Sequence, residues 1–444
     1  MATETNTDDI DLTSCDKEPI QFCGAIMPHG VLMVIQPNNY TILAISTNAV
    51  EEFDIASSHS LAHISTLFKT DCYDKINTLL TKIADKQSSP PSYLGRYQVG
   101  KSQKLYDIFA HRSNQYIVIE FLILNTNDDV DLHELVRIKP NETEAALQSS
   151  ANWQEAIAIT TAELKQITEF NTVLGIRVLD DGSSQVIAES RDGVFPPFID
   201  KRFPRSDIPQ PGRSQMTLMP MMYTPAMNYE PLPITNTHIA FDPAQLDLTY
   251  ALLRSTSPMC RKFYLNVGVH ARAVFSILDQ GKLWGFFVCW HAKPKSLGIL
   301  QRTMSQSFAG LAGQFILEKA RSQRNQEALD TKLMTSYLAI NLAKDLTNHA
   351  WFDLAQSIVN NLDVSGVIIL VDDEQINIGK TLPENSLKKL LIWLNQQDDF
   401  YFTDSYSDIN EEHSNQFADA RGIIAMRLMG GERKHYFIKT GVGP

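Results

Sequence analysis

Five cysteines, Cys15, Cys23, Cys72, Cys260 and Cys289, are the residues of this 444-residue chain best suited to covalent chemistry. Their number is odd and no CxxC pair occurs, so neither a disulfide framework nor a zinc site is indicated, and any chemistry they do is thiol chemistry. Cys15 lies in Asp-Leu-Thr-Ser-Cys-Asp-Lys-Glu-Pro, a polar segment ahead of the first strand. A thiol so placed is either a nucleophile or idle. A second feature is Phe203-Pro204-Arg205-Ser206-Asp207-Ile208-Pro209. Prolines on both sides of Asp207 give a rigid loop presenting a polar group, or else a plain surface turn. Arg254, in Leu253-Arg254-Ser255-Thr256-Ser257-Pro258-Met259-Cys260, can grip a carboxylate through two parallel N–H bonds or serve a surface ion pair. The sequence holds no GxSxG, no HExxH, no GxxxxGK[ST] and no GxGxxG opening a helix. The acid pairs Asp180-Asp181 and Asp372-Asp373 fall in turn-like segments, where solvated carboxylates are the common case. Catalysis is not indicated.

The elements that must position these residues are short strands and a few helices. Between 30 and 125, GVLMVIQ, YTILAIS, SYLGRYQV, KLYDIFAHR and YIVIEFLIL read as strands around a helical middle at 73–86, which predicts one α/β unit with an antiparallel sheet. The polar stretch 125–144, with Pro140, reads as a linker into a new helix. A second block, 146–320, opens with a helix, continues through TVLGIRVL and SQVIAES, and makes a Pro- and Met-rich excursion at 203–235. It returns as RAVFSIL and KLWGFFVCW, joined at Asp279-Gln280-Gly281. Excursions of that length in compact domains usually bind something. From 299 to 345, Met304, Phe308, Leu311, Phe315, Leu329, Leu333 and Tyr337 keep helical spacing. That predicts one long helix, whose apolar stripe either packs within the chain or pairs with a second copy. A third block begins near 348, with GVIILVDD, a helix at 384–396, GIIAMRL, a turn at Gly430-Gly431 and HYFIK.

The length suits two to four domains, each with its own core. A formal net charge of -12 argues against nucleic acid and anionic membrane surfaces as partners. The polar, acidic start is unlike a secretory signal, and the longest apolar runs are too short to span a bilayer, so a cytoplasmic location is expected.

LTSCDKEPIQFCGAIMPHG at 12–30, RFPRSDIPQPGR at 202–213, LRSTSPMC at 253–260 and KLWGFFVCWH at 282–291 together resemble the photosensory module of bacterial phytochromes, over nearly the whole chain. The resemblance implies an α+β fold of tandem PAS, GAF and truncated, GAF-like PHY domains, with antiparallel sheets flanked by helices. It places a tail at 1–14, PAS at 15–130, a linker at 131–145, GAF at 146–320, and a connecting helix with a partial PHY domain, lacking its tongue, at 321–444. It also implies a knot in which the segment around Ile26 threads a GAF loop. The implied cofactor is biliverdin. By resemblance Cys15 adds through sulfur to its ring A vinyl group, Arg254 binds a propionate, and the Asp207 backbone carbonyl, flanked by Phe203 and Ile208, accepts from pyrrole N–H groups that burial would otherwise leave unpaired. A homodimer through the GAF and connecting helices, signalling to a downstream partner, is implied as well.

The pattern fails at Gln21, Cys23 and Met27, where the family tends to have His, Pro and Gln, and around the pocket. Ile176, Met216 and Phe263 stand at tyrosine positions, Cys260 and Trp290 at histidine positions, and Met222 at the position of a propionate-binding arginine. The ring D wall is therefore expected to be apolar, with the Trp290 indole N–H as its donor. Arg272, where the family has a serine, is expected to supply the cation missing at Met222. Cys260 falls one residue beyond the chromophore cysteine of plant and cyanobacterial phytochromes, as a second attachment point or an inert helix thiol. Two functions compete: a biliverdin-binding red/far-red sensor, or a phytochrome-like homologue with no chromophore that senses redox state or another ligand, or serves as a dimerisation scaffold.

Overall fold

The computed structural model describes residues 18–55, 57, 62–101, 104–124, 140–237, 241–342, 348–361, 366–371, 374–394, 400–403, 422–430 and 433–441. Chain contacts divide it into two units, Met1–Gln323 and Arg324–Pro444.

The first unit begins with β1 (Ala25–Ile26), β2 (Gly30–Ile35), β3 (Ile42–Ser46), β4 (Ser92–Gln98), β5 (Leu105–Ser113) and β6 (Tyr116–Ile123), which carry the five expected apolar runs and the short Ala25–Ile26 strand. It continues with β7 (Thr172–Val178), β8 (Ser184–Arg191), β9 (Arg202–Phe203), β10 (Met221–Thr224), β11 (Leu232–Asn236), β12 (Ala271–Asp279) and β13 (Lys282–His291). Every position of β2 and β3 is buried, because the sheet is covered on both faces. Val31, Met33 and Ile35 pack with Ile76 and Leu80 of the helix Thr70–Ala84, while Leu32 and Val34 pack with Leu246, Leu248 and Leu253. A strand buried on both sides reads as an unbroken apolar run rather than an alternation, which is how the sequence presents it.

That first sheet reaches beyond the residues expected to build it. Its order is β1-β11-β3-β2-β6-β5-β4, and β11 comes from the long excursion. β11 pairs with β3 through Ile234↔Ser46 and with β1 through Ile26↔Leu232. On the opposite side the same short segment holds residues 253–255: the Met27 N–H donates to the Leu253 carbonyl at 2.7 Å, and the Ser255 N–H to the Ala25 carbonyl at 3.1 Å. Residues 24–27 thus pass between two limbs of one excursion, which runs on past 235 to include 253–255, with Ile26 fully buried, the threading expected of this segment. Gly30 lets the layers approach. A Cβ there would lie 2.6 Å from the Phe121 carbonyl oxygen and 2.7 Å from Leu253 Cδ1.

The second sheet of this unit has the order β10-β12-β13-β7-β8-β9. Its β12–β13 hairpin turns at Gln280 and Gly281, with φ of 50° and 78°, the consecutive left-handed residues of a two-residue hairpin turn. Successive side chains point to opposite faces. Ala271, Ala273, Phe275, Phe287 and Cys289 therefore face the helices Trp153–Thr168 and Ile299–Leu342, while Val274, Val288 and Trp290 face the other way.

Two expectations need correction. The stretch read as a linker, 131–145, already contains the helix Pro140–Ser149, since proline is tolerated in a first turn where its missing N–H has no partner to lose. The excursion carries a helix, Gln210–Leu218, whose Pro211 suits the first turn and whose Gly212 obscures the helical signal.

The second unit contains β14 (Gly366–Val371), β15 (Glu374–Gly379), β16 (Phe400–Thr403), β17 (Gly422–Gly430) and β18 (Arg433–Gly441), ordered β15-β14-β18-β17-β16. Val367 and Ile369 pack on Trp351, Ala355 and Ile358 of the helix Asn348–Asn361, and Ile368 packs with Leu387 and Leu390 of the helix Glu384–Leu394. Every strand pairing among the described residues of both units is antiparallel.

Gly30→Ala is expected to cost about 2 kcal/mol, because a backbone oxygen blocks the new methyl group. Gly310→Ala, in the helix Ile299–Leu342 with nothing within 4 Å of its Cβ position, is expected to add about 1 kcal/mol. Urea unfolding curves of the two variants should shift in opposite directions.

Candidate functional site

The second face of the β10–β9 sheet carries the chemistry. Arg272 stands mid-sheet, opposite Thr224 on β10 and Trp290 on β13. Its guanidinium donates to Cys260 Sγ at 3.3 Å and lies 4.7 Å over the Tyr264 ring, while its Nε is buried without a partner. Arg254 arrives from the excursion, its backbone bridged to Ile26 and its side chain donating to the Ile20 carbonyl at 3.1 Å. Burial lowers the Arg254 pKa below its ordinary value, and the charge of Arg272 adds to that, against opposition from Cys23 and Cys260. For Arg272 burial also acts downward, but Cys260 and Tyr264 outweigh it and hold that guanidinium above its ordinary value. Neither arginine pairs with a carboxylate among the described residues. Two neighbouring, largely buried cations without an anion are unfavourable by desolvation and by mutual repulsion; a bound carboxylate relieves both.

Beside the cations the wall is apolar. Ile176 on β7, Met216 on the helix Gln210–Leu218, and Trp290 are buried in one cluster with Val274, Phe286 and Val288, and Phe203, Ile208 and Met222 pack against it. Trp290 meets Phe198 edge-to-face at 5.1 Å and Tyr264 at 6.2 Å. The Trp290 indole nitrogen is buried and makes no hydrogen bond of good geometry; the nearby Tyr264 phenol is raised by burial and drawn back by Arg272.

Phe263, expected in this wall, is 40% exposed and stands outside it. The inward place belongs to Tyr264. In the helix Pro258–Asn266, Cys260 and Tyr264 are four residues apart and share a face, one residue beyond the tyrosine position that the resemblance assigns to Phe263. The i, i+4 spacing was the signal that locates it.

Asp207 closes a single 3₁₀ turn, Arg205–Asp207, between Pro204 and Pro209; its side chain is exposed, and partial burial lifts its carboxyl above the ordinary value. Arg213 clamps this loop, donating to the carbonyls of Ile208 at 2.6 Å, Arg205 at 2.9 Å and Gly182 at 2.5 Å. It ends the RFPRSDIPQPGR segment, yet no spacing rule singles it out, because these three acceptors are backbone carbonyls. Cys15 lies outside the described residues, so the expected thioether donor has no place in this geometry. Cys23 is exposed and Cys289 buried on the far face of the sheet.

Comparison with known proteins bears on what such a face is for. A sequence profile of the PAS fold matches residues 15–123, and one of the phytochrome region matches residues 331–438. The chain is 26% identical to cyanobacterial phytochrome B of Nostoc sp. over 96% of its length and 57% of the relative's. It is likewise 26% identical to a bacteriophytochrome of Pseudomonas aeruginosa, over 96% of this chain and 57% of that one. The two profile matches and these relatives support a phytochrome photosensory module. The chain spans somewhat over half the length of these relatives. A crystal structure of a bacteriophytochrome from R. palustris shares the fold, with a TM-score of 0.75 at 24% identity over 96% of this chain and 86% of that one. The separate structure of that protein's chromophore-binding domain gives a TM-score of 0.60 at 27% identity, covering 69% of this chain and 99% of the domain. No helix among the described residues is long and apolar enough to cross a membrane.

The residues present fit a linear tetrapyrrole. Two guanidiniums without a carboxylate among the described residues suit its propionates, the apolar wall suits its conjugated rings, and the buried Trp290 N–H, held only loosely toward Tyr264, suits a ring carbonyl. Burial pushes the Cys289 thiol up to about 12, leaving a thiolate fraction on the order of 10⁻⁴ at pH 8. A thiol-specific reagent at that pH is expected to label Cys23 and spare Cys289, as peptide mapping by mass spectrometry will read.

Proposed function

We propose that the first unit binds biliverdin or a closely related linear tetrapyrrole and acts in red/far-red light sensing. The Arg254–Arg272 pair carries this reading: it sits at the edge of an apolar face and has no carboxylate partner among the described residues. The bilin supplies absorption of visible light. In this assignment Arg254 and Arg272 hold its propionates, with Arg272 taking the place of the cation absent at Met222. The Trp290 indole donates to a terminal ring carbonyl. The Asp207 carbonyl, on a loop stiffened by two prolines and by Arg213, accepts from pyrrole N–H groups. Cys15 is assigned as the thioether donor. Cys260, whose sulfur touches Arg272, is the competing thiol. A second copy of the chain pairs through the helix Ile299–Leu342, where Leu311 and Leu329 stand 46% and 50% exposed, and the signal passes along that helix.

One observation favours the second reading, a homologue that has given up its chromophore. Trp290, Met216, Ile176 and Val274 each bury all but 5% or less of their surface in mutual contact. A face so packed has to open for a ligand.

Purified protein mixed with biliverdin decides between them, by a visible spectrum followed by zinc-enhanced fluorescence on a denaturing gel. A red-absorbing band that survives denaturation supports the sensor, and replacing Cys15 or Cys260 by alanine shows which sulfur carries it. No uptake supports the chromophore-free scaffold. Arg272→Ala is expected to weaken uptake on the order of tenfold or more, the scale of a hydrogen bond to a charged group; unchanged uptake removes Arg272 from the site.

A further inference from the structure

Glu120 is fully buried on β6, at the contact between the first sheet and the excursion that bears Arg254. Its Oε1 accepts the Leu253 N–H at 2.6 Å, and the neighbouring Leu252 N–H also favours the ionised carboxyl. The Leu253 carbonyl, on the other side of the same peptide strand, takes the Met27 N–H, and Ser255 donates to Ala25. The backbone on either side of Arg254 is therefore held between a carboxyl from β6 and the threaded segment. Beyond Glu120 lies His111, also fully buried, with Nδ1 3.8 Å from Glu120 Oε2. Among the described residues, Glu120 Oε2 and both ring nitrogens of His111 have no hydrogen-bond partner. At that distance, and with no other donor or acceptor among the described residues, the two do not form an ion pair.

We propose that Glu120 is a positioning residue for Arg254: its carboxyl sets the backbone that aims the guanidinium, and taking up a proton loosens that hold. The inference rests on the bilin reading of the Arg254 site and adds its regulation. Two backbone amides need no ionisable group, since a glutamine carbonyl satisfies them without the cost of burying a charge. The carboxyl brings a stronger, charge-assisted acceptor when ionised and a weaker one when protonated. Protonation on Oε2 turns that oxygen into a donor toward His111 Nδ1, which is placed to receive it.

Burial raises Glu120 to about 7, against the two amide bonds that lower it, and burial drops His111 to about 3. Other groups near the carboxyl do not change this. Asp107 lies on the same face of β5, next to Leu122, and is paired with Arg96 at 3.0 Å. From the excursion, Tyr250 stacks edge-on to His111, and the Asp247 carboxylate is taken up by the Thr249 N–H at 2.8 Å. On β2 the facing residue is Leu32. The sign follows. Below pH 7 Glu120 is protonated and the bonds to residues 252 and 253 are neutral and weaker; above pH 7 they are charge-assisted and firmer. The linkage to global stability runs the other way. The folded carboxyl keeps its proton better than the unfolded chain, so this contribution is full below about 4.5 and fades as pH rises through about 7.

The test compares wild type with Glu120→Gln, which keeps an acceptor and cannot ionise, using hydrogen exchange of the peptide 248–256 between pH 6 and 8 after correction for intrinsic rates. Protection at Leu253 is expected to rise several-fold through neutrality in the wild type and to stay flat in the variant. Biliverdin affinity is expected to tighten several-fold over the same range in the wild type alone. A purely structural glutamate gives the same pH profile in both proteins, and that result overturns the proposal. Should the variant not fold, the wild-type profile alone decides: no inflection at Leu253 removes the role. Failure to take up biliverdin at any pH overturns the proposed function instead, and leaves the exchange profile to judge Glu120.

Discussion

Residues 24–27 are hydrogen-bonded along both edges by a single excursion of the following domain, and the first unit depends on that contact. One edge pairs with β11 and so extends the first sheet; the other fixes residues 253–255 and so places Arg254. The pairing is cemented by a core in which Ile26, Leu246, Leu248 and Leu253 pack on Leu32, Val34 and Val118. Each such side chain contributes about 2 kcal/mol on full burial, so the contact is a cooperative part of the fold rather than a loop resting on a surface. A slip of one residue in the threaded segment would turn Ile26 outward and break both ladders together.

With that frame fixed, the site divides into two chemical regions. One is a face of Trp290, Met216, Ile176 and valines, with few polar atoms to desolvate. The other is a pair of guanidiniums with Cys260 and Tyr264 between the helix Pro258–Asn266 and β12. Replacing the family's tyrosines and histidines with apolar groups removes hydrogen bonds to a ligand, and it also removes the penalty of leaving such groups unpaired when no ligand is bound. The Arg254–Arg272 repulsion makes an anion the most direct way to stabilise this end of the face.

Much of this was open to reading from residue order. The apolar runs locate the strands, the Gln280-Gly281 pair the hairpin, and the three- and four-residue repeats the helix Ile299–Leu342, because each depends on neighbours in the chain. The prolines around Asp207 and the polar setting of Cys15 are local too, although Cys15 itself lies outside the described residues. Misplaced were the face of a short helix, where Phe263 was taken for Tyr264, and the linker, whose last part is already helical from Pro140.

What the sequence by itself determined is the set of elements, the family likeness and the residue types that could bind a carboxylated, conjugated ligand. Only tertiary structure decided that β11 belongs to the first sheet, that Arg254 and Arg272 come close enough to repel each other, that Arg213 clamps the Asp207 loop, and that Glu120 reaches the backbone of Leu253 across 133 residues. The physical reason is common to all four. Each is a contact between segments distant in the chain, made through backbone groups or through charges, and neither leaves a periodic trace in the residues that make it.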